Sequence, residues 1–128
     1  MANPLNLLLD THVLLWWLGA NRRLSRAARN AIDGSQSVYV SAATAWEIAI
    51  KTSQGKLDFP RSLEDELLQN QFQPLPISIP HALAAAALPL HHRDPFDRML
   101  IAQARLESLT LLTADANLKA YDAPVLLA

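Results

Sequence analysis

No cysteine occurs among the 128 residues, so disulfides, thiolate-bound zinc and thiol nucleophiles are excluded. Three scattered glycines cannot build a phosphate-cradling loop, which excludes the nucleotide-binding folds that depend on one. Long apolar runs are missing too. The longest, Val13 to Ala20 and Ala82 to Leu90, fall far short of the roughly 18 residues a membrane span needs. No Lys or Arg precedes Arg22, so the start lacks the basic segment of a secretory leader. The expectation is a cytoplasmic protein with no membrane partner. Charged residues are sparse, 18% against 51% hydrophobic, which excludes a disordered chain. The length implies one domain over residues 1–128, burying roughly two-thirds of its unfolded surface.

Charge is nearly balanced, with eleven Lys and Arg against twelve Asp and Glu, which argues against a purely electrostatic nucleic-acid binder. Its distribution is uneven. Between Thr11 and Ile32 there are four arginines (Arg22, Arg23, Arg26, Arg29) and no acid. If that stretch is helical, Arg22, Arg26 and Arg29 share one face, either simply solvated or able to hold phosphates.

Leu5 to Leu9, Ser37 to Val40 and Leu109 to Leu112 are short, nearly continuous apolar runs, as expected of strands buried on both faces. Leu75 to Ile77 and Pro124 to Leu127 are weaker candidates, and their prolines assign them to sheet edges. Helices are expected near Thr11 to Leu18, Ser25 to Asp33, Ala42 to Ser53, Leu63 to Asn70, His81 to Ala87, Pro95 to Glu107 and Ala116 to Tyr121. Ser41 and Asp94 suit N-caps, with Pro95 at a first helical position, and Gly34 and Gly55 suit stops. Strands alternating with helices predict a three-layer α/β/α fold around a parallel sheet. The proline-free strands are expected at the centre, which the order 3-2-1-4-5 satisfies. That order puts the topological switch between strands 1 and 4, where open α/β sheets bind ligands.

The acids are distributed around that switch. Asp10 ends the first strand and Asp115 follows the fourth, although each also suits a helix N-cap. Glu47 lies on an apolar helical stripe between Ala43 and Ile50, where an acid is rarely buried unless paired or coordinated. Lys51 offers the plain i,i+4 alternative. Asp97 sits in the first turn of the helix beginning at Pro95, a position the helix dipole favours by itself. Four carboxylates facing one cleft would raise one another's pKa values unless a cation neutralised them. An all-oxygen set points to Mg²⁺ or Mn²⁺. The spacings of His12, His81, His91 and His92 match no zinc motif, and each reads as a surface or capping residue. With net −1 overall, setting those four acids aside leaves the remainder at +3, which suits a phosphodiester substrate. Trp16, Trp17 and Trp46 read as core or dimer residues from their apolar context.

Leu7-Leu8-Leu9-Asp10-Thr11-His12, Ala45-Trp46-Glu47-Ile48, the stretch from Asp94-Pro95-Phe96-Asp97-Arg98 to Ala104, and Leu111-Leu112-Thr113-Ala114-Asp115 resemble PIN-domain nucleases, above all VapC-type toxins of toxin–antitoxin pairs. The resemblance runs from Leu5 to the last strand. It implies a Mg²⁺-dependent endoribonuclease, with Mn²⁺ able to substitute, usually dimeric and inhibited by a cognate antitoxin. The family's acids fall on Asp10, Glu47, Asp97 and Asp115, all counted as catalytic and metal-binding. Thr113, Thr11 and Asp94 are supporting, Asp94 as cap or outer acid. Arg98, Arg93, Arg22 and Arg26 are candidates for holding the RNA backbone. Two other classes lack their signatures. A receiver domain needs an acid pair after the first strand, and a dehalogenase-type phosphatase needs Asp-x-Asp, whereas Thr11-His12 follows Asp10. The remaining alternative is a catalytically idle PIN-like module that binds RNA or protein.

Overall fold

The computed structural model describes residues 5–128. Five parallel strands, β1 (Asn6–Leu9), β2 (Ser37–Ser41), β3 (Gln73–Leu75), β4 (Thr110–Thr113) and β5 (Val125–Leu127), form one sheet in the expected order, β3-β2-β1-β4-β5. Six helices flank it: α1 (Thr11–Leu18), α2 (Arg26–Gly34), α3 (Ala42–Ser53), α4 (Leu63–Gln69), α5 (Ile79–Ala87) and α6 (Pro95–Leu106).

β1 shows why this sheet is central. Leu7 and Leu9 point into a core shared with Val13, Leu14, Ala28, Ile32 and Ile48. Leu8 points into the opposite core with Leu100, Ile101, Ala104 and Leu111. A strand buried on both faces needs an apolar residue at every position, so its sequence shows no alternation. β4 does the same, with Leu111 on one side and Leu112 on the other.

Four local details depart from the sequence reading. β3 ends at Leu75 instead of beginning there, because Pro76 has no N–H to donate to β2. α5 begins at Ile79 rather than His81. Ser78 caps it, and His81 bonds back through Nδ1 to the Ser78 N–H, a role usually taken by Glu or Gln. The turn at Ala116–Ala120 is 3₁₀, not α. Gly34 closes the last turn of α2 instead of following it, whereas Gly55, with φ +71°, ends α3 as expected.

The arginine at the head of α6 has a structural task. Arg98 donates to the carbonyls of Ala85, Ala86 and Leu88 at the end of α5, and to those of Pro89 and His92 in the loop beyond. A cation on the orphan carbonyls of a helix C-terminus is favourable by charge and by hydrogen bonding. Arg98→Ala is expected to lower stability by about 2 kcal/mol and the melting temperature by several degrees. Thermal unfolding and calorimetry of the variant check this.

Candidate active site

The carboxyl ends of β1 and β4 meet at a cleft of about 460 Å³, lined by Asp10, Glu47, Asp94, Asp97 and Asp115. Each acid arrives by a different element. The Asp10 N–H donates to Leu112 O, which ties the end of β1 to the end of β4. Its side chain then caps α1, Oδ1 accepting from the Val13 N–H at 2.8 Å. The other oxygen, Oδ2, accepts from Thr113 Oγ1 and from the Ala114 N–H. Asp115 behaves alike: Oδ1 accepts from the Asn117 N–H at 2.9 Å, and Oδ2 lies 3.5 Å from His92 Nε2. Capping therefore occupies one oxygen of each acid, while the second is held by Thr113 and Ala114 in Asp10 and lies near His92 in Asp115. Asp94 caps α6 through Oδ1, to the N–H groups of Phe96 and Asp97.

Glu47 is 7% exposed on α3. Both its oxygens are engaged: Oε1 lies 2.6 Å from Thr11 Oγ1, and Oε2 2.7 Å from Lys51 Nζ. Thr44 Oγ1 completes this cluster at 3.3 Å from Thr11 Oγ1. Lys51 is thus the i,i+4 partner the spacing allowed, but the pair lies in the cleft and not on an open helix face.

Burial pushes the Asp10 carboxyl above the ordinary range, against the bonds from Thr113 and Val13 that pull it down. Burial, and then the neighbouring Asp94 charge, push Asp97 up to about 6, although the His92 imidazole lies 2.7 Å from its Oδ2. Such a crowded set of carboxylates is the environment a divalent cation relieves. His92, Asp97 and Asp115 each offer a ligand atom, and these lie within 4.8 Å of one another. An oxygen-dominated donor set with partly desolvated carboxylates fits a hard divalent ion.

The structure brings Asp10, Glu47, Asp97 and Asp115 to one cleft, with Thr11 and Asp94 on its wall and Thr113 bonded to Asp10. The expected basic residues fall elsewhere. Arg98 is engaged on α5, and Arg22, Arg26 and Arg93 are exposed and do not line the cleft. The proposed shared face of Arg22, Arg26 and Arg29 does not form, because α2 begins only at Arg26 and Arg29 bonds Asn21 O. The cations that do line the cleft are Arg23 and Lys51. His92, by its spacing, suits a surface or capping residue. It instead reaches Asp97 and Asp115 from the loop before α6, and its place two residues ahead of a capping Asp was the available signal. The tryptophans separate as well: Trp17 packs on Phe72 and bonds Asn70, Trp46 is 63% exposed against Phe96, and Trp16 lines the cleft.

A five-stranded parallel sheet of this order, with acids gathered at the ends of β1 and β4, is the arrangement of a PIN domain. The chain belongs to the PIN-domain family, whose match spans residues 7–124. It is 31% identical over 120 residues to Ribonuclease VapC22 of Mycobacterium tuberculosis, covering 91% of this chain and 92% of that one. Among solved structures, the fold is similar to VapBC2 from Rickettsia felis bound to a promoter DNA fragment, with TM-score 0.66 and 10% identity over 97% of this chain and 99% of the other. It is similar, too, to a toxin–antitoxin complex from Klebsiella pneumoniae, with TM-score 0.66 and 22% identity over 93% and 94% of the two chains.

Proposed function

We propose that this chain is a Mg²⁺-dependent endoribonuclease, the toxin of a VapBC-type module acting in the cytoplasm. The observation that carries the reading is the convergence of Asp10, Glu47, Asp97 and Asp115 on one cleft in a PIN domain. The 31% identity to a ribonuclease supports RNA as the substrate. The toxin–antitoxin complexes among its structural neighbours support a cognate antitoxin as partner. A homodimer accords with the exposed apolar side chains Ile79 and Leu83 of α5.

Asp10, Asp97 and Asp115 would hold the ion, with His92 beside them, and Mn²⁺ would substitute for Mg²⁺. When bound, a divalent ion lowers the pKa of a coordinated water and stabilises charge on a phosphodiester. The remaining work belongs to the chain. Thr113 and the Val13 N–H fix the Asp10 carboxylate in one orientation. Thr11 and Lys51 do the same for Glu47, which in this reading orients the attacking water. Departure of the 3′-oxygen leaves a 5′-phosphate product, and no serine or histidine nucleophile takes part.

Mn²⁺ binding by calorimetry, in the native chain and in Glu47→Gln, tests this. The native chain is expected to bind, and the variant to bind on the order of tenfold or more weakly. Equal affinity in both would take Glu47 away from the ion, and binding in neither would favour a module whose acids are idle.

A further inference from the structure

The acidic cleft has a second wall that ion binding does not explain. His12 and Trp16 stand one helical turn apart on α1, with ring centroids 6.1 Å apart and planes tilted by 49°. Both line the cleft, and so does Arg23 from the turn after α1. His12 is exposed and Trp16 half-buried, resting on the core beneath α1.

Arg23 differs from most of the other arginines in what it touches. Arg29, Arg61, Arg98 and Arg105 all donate to backbone carbonyls. The Arg23 backbone N–H donates to Asn21 Oδ1, and among the described residues its guanidinium has no partner. Lys51, the other cation of the cleft, is held on Glu47 at 2.7 Å. A polyanion entering past five acids therefore meets one uncommitted cation in a cleft that His12 and Trp16 also line.

We propose that His12, Trp16 and Arg23 form a nucleotide subsite beside the reacting phosphodiester, Arg23 holding a neighbouring phosphate and Trp16 with His12 stacking an unpaired base. Stacking on aromatic side chains is the sequence-tolerant way proteins hold single-stranded nucleic acid, and an arginine fork matches phosphate geometry. A base can lie on this wall only once it is unstacked from its neighbours. The inference rests on the ribonuclease reading and adds to it the position and class of the nucleotide recognised.

An abasic scan of a short single-stranded oligoribonucleotide that the native protein cleaves tests the subsite. Removing one base next to the cleaved bond is expected to raise KM about tenfold in the native protein, with kcat changed far less. In Trp16→Leu the same abasic site should have no further effect, whereas Trp16→Phe should restore part of it. His12→Ala, at an exposed position, should show a reduced abasic effect even if Trp16→Leu fails to fold. Arg23→Gln should raise KM and lower the salt dependence of binding by about one phosphate contact, and Arg23→Lys should recover part of it. A flat scan, or an abasic effect of equal size in native, Trp16→Leu and His12→Ala proteins, would overturn the subsite while leaving the ribonuclease reading intact. Absence of any divalent-dependent RNA cleavage by the native chain would overturn both.

Discussion

Asp10→Asn is expected to reduce divalent-dependent RNA cleavage by more than about a hundredfold while leaving the protein folded. Asn caps helices about as well as Asp, so its side-chain oxygen can keep the Val13 N–H and α1 stays anchored. Thr113 can rotate to accept instead of donate, since a hydroxyl does either. The one new conflict is an amide N–H against the Ala114 N–H, where Oδ2 now accepts at 3.3 Å. Against that stands relief of a carboxylate whose burial disfavours its charge. The two effects oppose each other, so the melting temperature without divalent ions should change little. Cleavage assays beside thermal unfolding in chelator decide the matter. A folded Asp10→Asn with full activity would reduce Asp10 to a helix cap.

The second large effect is on stability without divalent ions. Asp97 rises from 3.8 in the unfolded chain to about 6 in the folded one, chiefly through burial and then through Asp94. Below about pH 4 both states are protonated and the group has no effect. Between these values the unfolded state ionises first, so stability falls as pH rises, and above about 6 the loss is complete. A shift of this size corresponds to about 3 kcal/mol, or a melting temperature lower by about 10 °C. Asp97 is mostly shielded, with 23% of its side chain exposed, so solvent screening leaves most of the effect in place. Asp10, also shifted upward by burial, acts in the same direction. Melting curves in chelator from pH 4 to 8, native against Asp97→Asn, should therefore diverge with rising pH, the variant becoming the more stable. Saturating Mn²⁺ should raise the native curve above pH 6 and leave the variant nearly unmoved. Parallel curves in chelator would show that Asp97 is not buried among like charges.

These effects have the pattern expected of a functional site, where local stability is given up for chemistry. The elements that build it were largely legible. Leu7-Leu8-Leu9 marks a strand with no exposed face, and Pro76 and Pro124 mark edges, a pattern that the observed strand order and its switch point satisfy. Asp10 and Asp115 each suit both a cap and a site acid by spacing, Asp94 suits a cap, and the structure shows why the roles coexist. A carboxylate has two oxygens, and the cap uses one. What spacing could not give was anything carried by a loop. His92 reaches the acids, Arg23 enters the cleft and Arg98 turns to α5 because of where connecting segments close in space. Periodicity relates residues within one element and says nothing across a turn. β3 slipped by two residues for a related reason: in a three-residue edge strand, the register against β2 decides the bounds, and not its own composition.

Crystals soaked in Mn²⁺ and measured for anomalous scattering offer the most direct test of the central claim. A peak bounded by Asp10, Asp97 and Asp115, with Glu47 facing it, is the result this account predicts. Mn²⁺ bound only outside the cleft, or a fully loaded crystal in which those carboxylates face apart, would contradict it.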